Sequence, residues 1–283
     1  MAKIIGGIGT SHAPSIAHAY DKNLGTDEAW KPLFDGYGPV KDWLKETAPD
    51  LIIMIYNDHM NRFFFDAYPT LALGVSEVHE IADEGWGKRN FPALQGDAEF
   101  GWHLARSLVA DEFDPTICQE ITIDHGILSI LPLLCDTPWP VPIIPIAVNV
   151  IQHPVPTARR CYKLGQAIRH AVELYDHDIR IAIVGTGGMS HQLHGKRFGF
   201  MNEEWDNEFL DALETNPEKL TALSHDDYME RGGVESVEMI MWLTMRGALT
   251  DKVTRIHRHY YAPFLTGFGL IALGCTDIAE PAQ

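Results

Sequence analysis

The sequence is poor in cysteine, which argues against two kinds of structure. Its four cysteines lie far apart, at positions 118, 135, 161 and 275, and no two of them form a C-x-x-C pair. A small disulfide scaffold needs a higher density of cysteines, and a thiolate zinc site needs closely spaced pairs. We therefore expect neither.

Positive charge is also scarce. The chain has 22 Lys and Arg against 39 Asp and Glu, which gives a formal net charge of −17. Binding to nucleic acid or to an anionic membrane surface requires a basic face, so we expect neither partner. No apolar run approaches the roughly 20 residues that span a bilayer, and the N-terminus lacks the long apolar stretch of a signal peptide. The expected location is the cytoplasm.

The composition is otherwise that of a globular protein, with 46% hydrophobic and 22% charged residues over 283 positions. A chain this apolar can bury enough surface to offset the entropy lost on folding. The sequence shows no internal repeat, low-complexity tract or linker. We predict one domain over residues 1–283, with a frayed tail at 276–283.

Apolar runs and helical periodicity alternate along the chain. Buried strands are predicted at 3–8, 51–56 and 179–184, part of another at 271–273, and an edge or irregular strand at the proline-containing run 142–150. Helices are predicted at 96–110, 159–174, 202–214 and 234–246. This alternation indicates an α/β fold with helices packed on a central sheet.

Three of the predicted strands run into segments that end in histidine, at His12, His59 and His191. In open α/β sheets, ligands bind beyond the carboxyl ends of the strands, so parallel neighbouring strands would bring these histidines into one crevice. His125, after the alternating residues 121–123, is a fourth candidate. Imidazole binds Fe, Zn, Cu and Ni, which makes a metal site one interpretation; hydrogen-bonding histidines without a metal are the other.

The glycine-rich segment 185–190 does not match a nucleotide-binding loop. The G-x-G-x-x-G frame ends on Ser190, and no Walker A lysine follows. We interpret Gly187 and Gly188 as residues that let the backbone approach a ligand and that aim His191. A plain tight turn is the alternative.

Carboxylate partners for the histidines are not fixed by spacing. Glu235 and Glu238 lie three residues apart in a predicted helix and so share one face. Asp58 and Asp124 are next to histidines and are candidates for holding the imidazole rings.

Taken together, these motifs resemble the class III (LigB-type) extradiol ring-cleaving dioxygenases, and most of all the protocatechuate- and gallate-cleaving members. The resemblance runs from Lys3 to about Gly274. It rests on T-S-H-A-P at 10–14, N-D-H at 57–59, A-D-E-G-W-G at 82–87, D-H-G at 124–126, G-T-G-G-M-S-H-Q at 185–192, and V-E, M-W and R-G-A-L between 237 and 249.

This resemblance implies a three-layer α/β/α fold and a specific reaction. His12, His59 and Glu238 match the family's Fe(II) ligands, His191 matches its acid/base histidine, and His125 matches a second histidine near the substrate. The implied reaction inserts O₂ into a carboxylated catechol during aromatic degradation. Protocatechuate cleaved at the 4,5 position is the first expectation, followed closely by gallate and 3-O-methylgallate.

The resemblance also implies a substrate-binding loop near the C-terminus, where this sequence departs from the protocatechuate enzymes. Leu265 stands where a hydroxyl is expected, which leaves Thr266 to contact the carboxylate, while Phe264 and Leu265 suit a methoxy group or a larger ring. Because the net charge repels an anionic substrate, nearby cations are also expected. The candidates are Lys196, Arg197, Arg159 and Arg160.

Two-subunit members of this family have a small helical α subunit over the mouth of the active site. We therefore expect either such a partner, in an α2β2 assembly, or a homodimer. Two other functions remain open: a non-enzymatic binding protein with the LigB fold, and a zinc hydrolase that uses the same His/His/Glu ligands.

Overall fold

A central eight-stranded sheet organises the computed structural model, which describes residues 1–276. Apart from Thr276, the expected frayed tail lies outside the described residues. The strands are β1 (Lys3–Thr10), β2 (Leu51–Tyr56), β3 (Leu71–Gly74), β4 (Val78–Ile81), β5 (Leu94–Gln95), β6 (Thr116–Cys118), β7 (Thr122–Ile123), β8 (Ile143–Val148), β9 (Arg180–Thr186), β10 (Val253–Tyr261) and β11 (Phe268–Cys275).

Ten α-helices lie among the described residues. They are α1 (Pro14–Asp21), α2 (Lys31–Thr47), α3 (Ala98–Ala110), α4 (His125–Leu128), α5 (Leu131–Leu134), α6 (Ala158–Glu173), α7 (Glu203–Thr215), α8 (Pro217–Thr221), α9 (His225–Gly232) and α10 (Ile240–Ala248). Within residues 1–276, none of them combines the length and apolar character needed to span a bilayer.

The strand order of the large sheet is β10-β11-β1-β9-β2-β8-β3-β6. The four strands β1, β9, β2 and β8 are parallel neighbours. Their carboxyl ends therefore lie at one edge of the sheet, as the histidine pattern requires. The flanking strands β11 and β3 run antiparallel to this group.

Helices cover both faces of the sheet. In β2, Leu51, Ile53 and Ile55 pack into one hydrophobic cluster with α3, α6, α7 and α10, whereas Ile52, Met54 and Tyr56 pack into a second cluster with α1, α2, α4 and α5. Alternate residues of a strand point to opposite faces, so a strand buried on both sides is apolar throughout. The expected three-layer α/β/α fold is confirmed.

Two predicted elements differ from the structure. The run 142–150 was expected as an edge strand or an irregular one, but β8 lies in the sheet interior between β2 and β3. It tolerates Pro145 because the ladder to β3 covers only residues 146–148; Gly74, the next residue of β3, leaves room for the proline ring, since a Cβ there would lie 2.7 Å from Pro145 Cγ. The predicted helix 234–246 divides into a 3₁₀ segment, Val234–Met239, followed by α10.

A second, three-stranded sheet has the order β5-β4-β7. Its strands β4 and β7 are parallel, with Ile81 opposite Ile123. The segments that follow these two strands, which contain Glu84 and His125, therefore leave the sheet side by side.

Candidate active site

Three histidines and one glutamate meet beyond the carboxyl ends of the parallel strands. The ring centroids of His12 and His59 are 5.1 Å apart, and that of His125 is 3.8 Å from the His59 centroid. One ligand atom from each of these histidines lies within 4.8 Å of the other two. Nε2 of His12 is 3.6 Å from Oε2 of Glu238.

His12 is held as a neutral imidazole with one free nitrogen. Its Nδ1 is 3.0 Å from the hydroxyl of Thr186, at the end of the neighbouring strand β9. Its Nε2 is buried and has no hydrogen-bond partner among the described residues. Burial, followed by the nearby His59 and His125, holds the pKa of His12 well below its ordinary value. A neutral imidazole with a buried lone pair is the form that binds a metal ion.

Asp124 fixes the ring and the backbone of His59. Oδ2 of Asp124 lies 3.1 Å from His59 Nδ1 and accepts the His59 backbone N–H at 2.6 Å. Burial lowers the pKa of His59, but the Asp124 charge and hydrogen bond outweigh it, so the net shift is upward. Because the carboxylate only accepts, the neutral His59 ring donates through Nδ1 and has its lone pair on Nε2.

Asp58 has a different role from the one expected. Its carboxylate accepts the backbone N–H groups of Asn61, Arg62 and Phe63. Within residues 1–276 it makes no hydrogen bond to a histidine ring, because its oxygens are used to shape the loop after β2. Asp58 therefore supports the loop that carries His59, whereas Asp124 contacts the ring.

Gly187 and Gly188 pack against Glu238 instead of facing the cavity. The Gly188 N–H donates to Oε2 of Glu238 at 2.6 Å. A Cβ on Gly187 would lie 2.6 Å from the Glu238 carbonyl oxygen, and one on Gly188 would lie 2.5 Å from Cε1 of His191. The glycines thus make room for two functional side chains. Neither is among the residues that line the cavity, and their expected contact with substrate stays a prediction.

The two glutamates of the 3₁₀ segment have different partners. Glu238 lies next to His12, while Oε1 of Glu235 is 2.7 Å from Nδ1 of His194. Both line the same cavity. The structure therefore separates two residues that spacing alone left equivalent, and places Glu238 beside the histidines.

A cavity of about 740 Å³ opens over the cluster. His12, His59, His125, His191 and Glu238 all line it. His191 is buried, its backbone N–H donates to Gly232, and its Nδ1 lies 2.8 Å from the Met189 carbonyl oxygen. Since a carbonyl oxygen only accepts, Nδ1 carries the proton and Nε2 is left as the basic nitrogen of the ring.

The predicted substrate loop forms another wall of this cavity. Phe264, Leu265 and Thr266 line it, and the Phe264 ring lies 4.9 Å from that of Trp30. Thr266 also forms an isolated antiparallel bridge with His191. This bridge ties the loop to the segment that carries His191.

The expected cations are not at the site. Of the described residues, those that line the cavity include no lysine or arginine. Arg197 donates to the carbonyl oxygens of Met229 and Glu230, and Arg160 lies over the Phe113 ring. Local partners therefore hold these two side chains away from the cavity, and neither Lys196 nor Arg159 lines it.

Glu84 was not identified as a site residue from the sequence. Its Oε1 accepts the His125 backbone N–H at 2.9 Å, and its Oε2 lies 2.5 Å from His125 Nδ1. Glu84 belongs to the A-D-E-G-W-G motif at 82–87. A carboxylate is a usual hydrogen-bond partner for a functional histidine. This common carboxylate–histidine pairing is the sequence signal that could have identified Glu84.

The residues present fit a divalent metal. The buried, unpartnered Nε2 of His12 is the clearest observation, since an orphaned polar atom in a protein interior needs a partner. Nε2 of His59 lies 3.1 Å from the Asn57 side-chain amide, and a metal bound at its single lone pair would replace this contact. Two imidazoles with one carboxylate suit non-haem Fe(II), although zinc also accepts these ligands.

Comparison with known proteins agrees with this geometry. Residues 6–270 match the family described as the catalytic LigB subunit of aromatic ring-opening dioxygenase. Gallate dioxygenase of Pseudomonas putida is 48% identical over 71% of this chain, and the chain spans 60% of that relative's length. A 2,3-dihydroxyphenylpropionate/2,3-dihydroxicinnamic acid 1,2-dioxygenase of a Rhodococcus species is 24% identical, over 94% of this chain and 97% of its own.

Among solved structures, an uncharacterized protein of Escherichia coli K12 shares the fold, with a TM-score of 0.58 and 15% identity over 96% of this chain and 99% of that chain. Identity this low supports the fold alone. The family match, by contrast, covers most of the sequence and includes every histidine of the cluster. The chain therefore belongs to the LigB family of aromatic ring-opening dioxygenase catalytic subunits.

Proposed function

We propose that this protein is an Fe(II)-dependent dioxygenase that opens the ring of a carboxylated catechol beside its two hydroxyl groups. The observation that carries the proposal is the convergence of His12, His59 and Glu238 in a cavity that His191 and His125 also line. Two imidazoles and one carboxylate would hold Fe(II) and leave coordination positions for the two reactants.

His12, His59 and Glu238 are the proposed iron ligands. Bound Fe(II) supplies a common binding point for the catechol oxygens and O₂ and a route for electron density between them. The protein's own contribution is to fix the ligands, and each of the three is oriented by a hydrogen bond from a neighbouring segment. Such support keeps the reactants in a productive geometry.

His191 is the proposed acid/base residue. Its Nδ1 is occupied by the Met189 carbonyl, so Nε2 is the ring nitrogen that can take a proton from a substrate hydroxyl and return it later. Histidine suits both steps because it titrates near neutral pH, and such groups contribute about 10²–10⁴-fold to a rate. His125, whose ring lies 3.8 Å from that of His59 and which lines the same cavity, is proposed to hydrogen-bond the substrate.

The similarity to gallate dioxygenase supports gallate as the first substrate to test, ahead of protocatechuate and 3-O-methylgallate. All three are single-ring acids. Because the described lining includes no lysine or arginine, the hydroxyl of Thr266 is the proposed contact for the carboxylate. Phe264 and Leu265 would pack against the ring or a methoxy group.

A covering partner is part of the proposal. Three large apolar side chains that line the cavity are also exposed, namely Leu193, Phe264 and Leu265. Clustered exposed apolar side chains are typical of a surface that another chain covers. A small helical subunit or a second copy of the chain would supply that cover, and turnover by the isolated chain tests whether it is required.

The decisive experiment is oxygen uptake by the purified chain loaded with Fe(II) without air. Gallate, protocatechuate, 3-O-methylgallate and catechol are offered separately, with product absorbance followed in parallel. We expect uptake with at least one acid, and loss of at least about 100-fold in kcat for His191→Asn at unchanged iron content. His177→Asn is the control, since His177 is half exposed beside Tyr175 and outside the cavity.

Three outcomes would contradict the proposal. A protein that binds no iron would favour the binding-protein alternative. One purified with zinc that consumes no oxygen after iron loading would favour the hydrolase. Full turnover by His191→Asn would remove the acid/base assignment.

A further inference from the structure

Glu84 grips His125 at two points. One carboxylate oxygen accepts the His125 backbone N–H at 2.9 Å, and the other lies 2.5 Å from the ring nitrogen Nδ1. Both side chains are largely buried, with about a tenth of their surface exposed. Such a two-point contact fixes both the position and the rotation of the imidazole.

The pairing of β4 with β7 brings the segments that carry Glu84 and His125 together. Strands β4 and β7 are parallel, and the pairing continues past β4, where the Ala82 N–H donates to the Ile123 carbonyl oxygen. The loop after β4 is then shaped by Asp83, whose Oδ1 accepts the N–H groups of Gly85 and Gly87. Both glycines have positive φ, at 96° and 93°, so this turn favours glycine.

The contact also selects a tautomer. A carboxylate can only accept, so the proton of a neutral His125 ring resides on Nδ1 and the lone pair on Nε2. No hydrogen bond from the described residues uses that Nε2. His125 lines the 740 Å³ cavity and, together with Glu84, a neighbouring cavity of about 660 Å³. His125 therefore forms part of the wall between the two cavities. Its Nδ1 contacts Glu84, which lines the second cavity.

We propose that Glu84 is a positioning residue: it holds His125 in the rotation and tautomer that direct Nε2 to the substrate. This inference rests on the proposed ring-cleaving function. Glu84 does not itself line the cavity that contains the proposed iron ligands, so it acts through His125.

Glu84→Gln tests the role without changing the size of the side chain. The amide oxygen can still accept the His125 backbone N–H, while the amide N–H₂ then faces Nδ1 and favours the opposite tautomer. We expect kcat to fall about 10- to 100-fold, with the KM for the catechol within about threefold. Glu80→Gln is the matched control, because Glu80 is exposed on the same strand β4 and pairs only with Lys88 among the described residues.

Two further measurements separate positioning from a purely structural effect. In a His125→Asn background, Glu84→Gln should cause no additional loss of kcat, because the residue through which it acts is gone. In the metal-free protein, ¹⁵N chemical shifts of labelled histidine should report the Nδ1–H tautomer of His125 in the wild type and a shift toward Nε2–H in Glu84→Gln.

The inference is overturned if Glu84→Gln keeps kcat within twofold of the wild type, or if it lowers kcat equally in both backgrounds. An unchanged His125 tautomer in Glu84→Gln overturns it as well. If the wild type binds no iron, the proposed function fails, while the tautomer measurement in the metal-free protein still tests the contact.

Discussion

The backbone N–H of Gly188 donates to the Glu238 carboxylate oxygen that lies 3.6 Å from His12 Nε2. This short contact exists because residue 188 has no side chain. A Cβ there would lie 2.5 Å from Cε1 of His191 and 3.3 Å from Oε2 of Glu238. The glycine loop thus sets the distance between a proposed iron ligand and the proposed acid/base residue.

Gly188→Ala should therefore impair the site while the protein remains folded. We expect iron affinity to fall at least about tenfold, because the methyl group displaces the Glu238 carboxylate or the His191 ring. Isothermal titration with Fe(II) without air measures the loss. Gly38→Ala in α2 is the control, since a Cβ there meets no atom within 4 Å, and it should be neutral or slightly stabilising. Unchanged affinity in Gly188→Ala would argue that the contact is incidental.

Replacing each glutamate of the 3₁₀ segment in turn tests the choice of carboxylate ligand. Glu238→Gln should abolish stoichiometric iron, because the amide is a weaker ligand and carries no negative charge. Glu235→Gln should retain iron, since that carboxylate is paired with His194. Metal content by elemental analysis distinguishes them. The reverse result would move the ligand to Glu235.

The two aspartates next to histidines should behave differently. Asp124→Asn removes the negative charge beside His59 Nδ1 and leaves one acceptor oxygen in place of two, so iron affinity should fall about 10- to 100-fold. Asp58→Asn weakens the three backbone contacts of its loop and should mainly lower the melting temperature. Affinity and melting temperature measured on both variants test this contrast. Equal losses of iron affinity in the two variants would mean that iron binding depends on the loop and not on the contact between Asp124 and the His59 ring.

Acid should destabilise the protein through His79 on β4. Burial lowers its pKa from 6.5 to about 4, so the folded state keeps this ring neutral where the unfolded chain takes up a proton. The stability contribution is complete above about pH 6.5 and is lost as the pH falls toward 4, by up to about 3 kcal/mol. The wild-type minus His79→Gln difference in unfolding free energy, measured by denaturant between pH 4 and 7, isolates it. A difference that does not change with pH would contradict the assignment.

Much of the fold could be predicted because the inner strands are buried on both faces and so read as continuous apolar runs. The predicted strand at 51–56 has the bounds of β2, and the Asn202 cap of α7 accepts the Trp205 N–H. The first two helices and the edge strand β10 were missed. Helix α2 includes Gly36, Gly38 and Pro39, which have low helix propensity. Tertiary packing of the helix outweighs this low propensity.

The site was predictable where the side chain follows a strand, as with His12 and His59. The site was less predictable where the position of a side chain depends on pairing between segments that are far apart in the sequence. Glu84 meets His125 only because β4 and β7 are in register, and the Lys196 and Arg197 side chains lie outside the cavity lining. Neither the Glu84–His125 contact nor the direction of the two basic side chains can be predicted from the neighbouring residues in the sequence.

Because β9 lies between β1 and β2, the proposed metal site can be complete only late in synthesis. His12 and His59 emerge early from the ribosome, but the strand that spaces them comes from residues 180–186. Until that strand inserts, the two imidazoles have no fixed separation, and Glu238 has not yet been translated. A nascent chain therefore carries two of the proposed metal ligands before it has the strand and the carboxylate that complete the site.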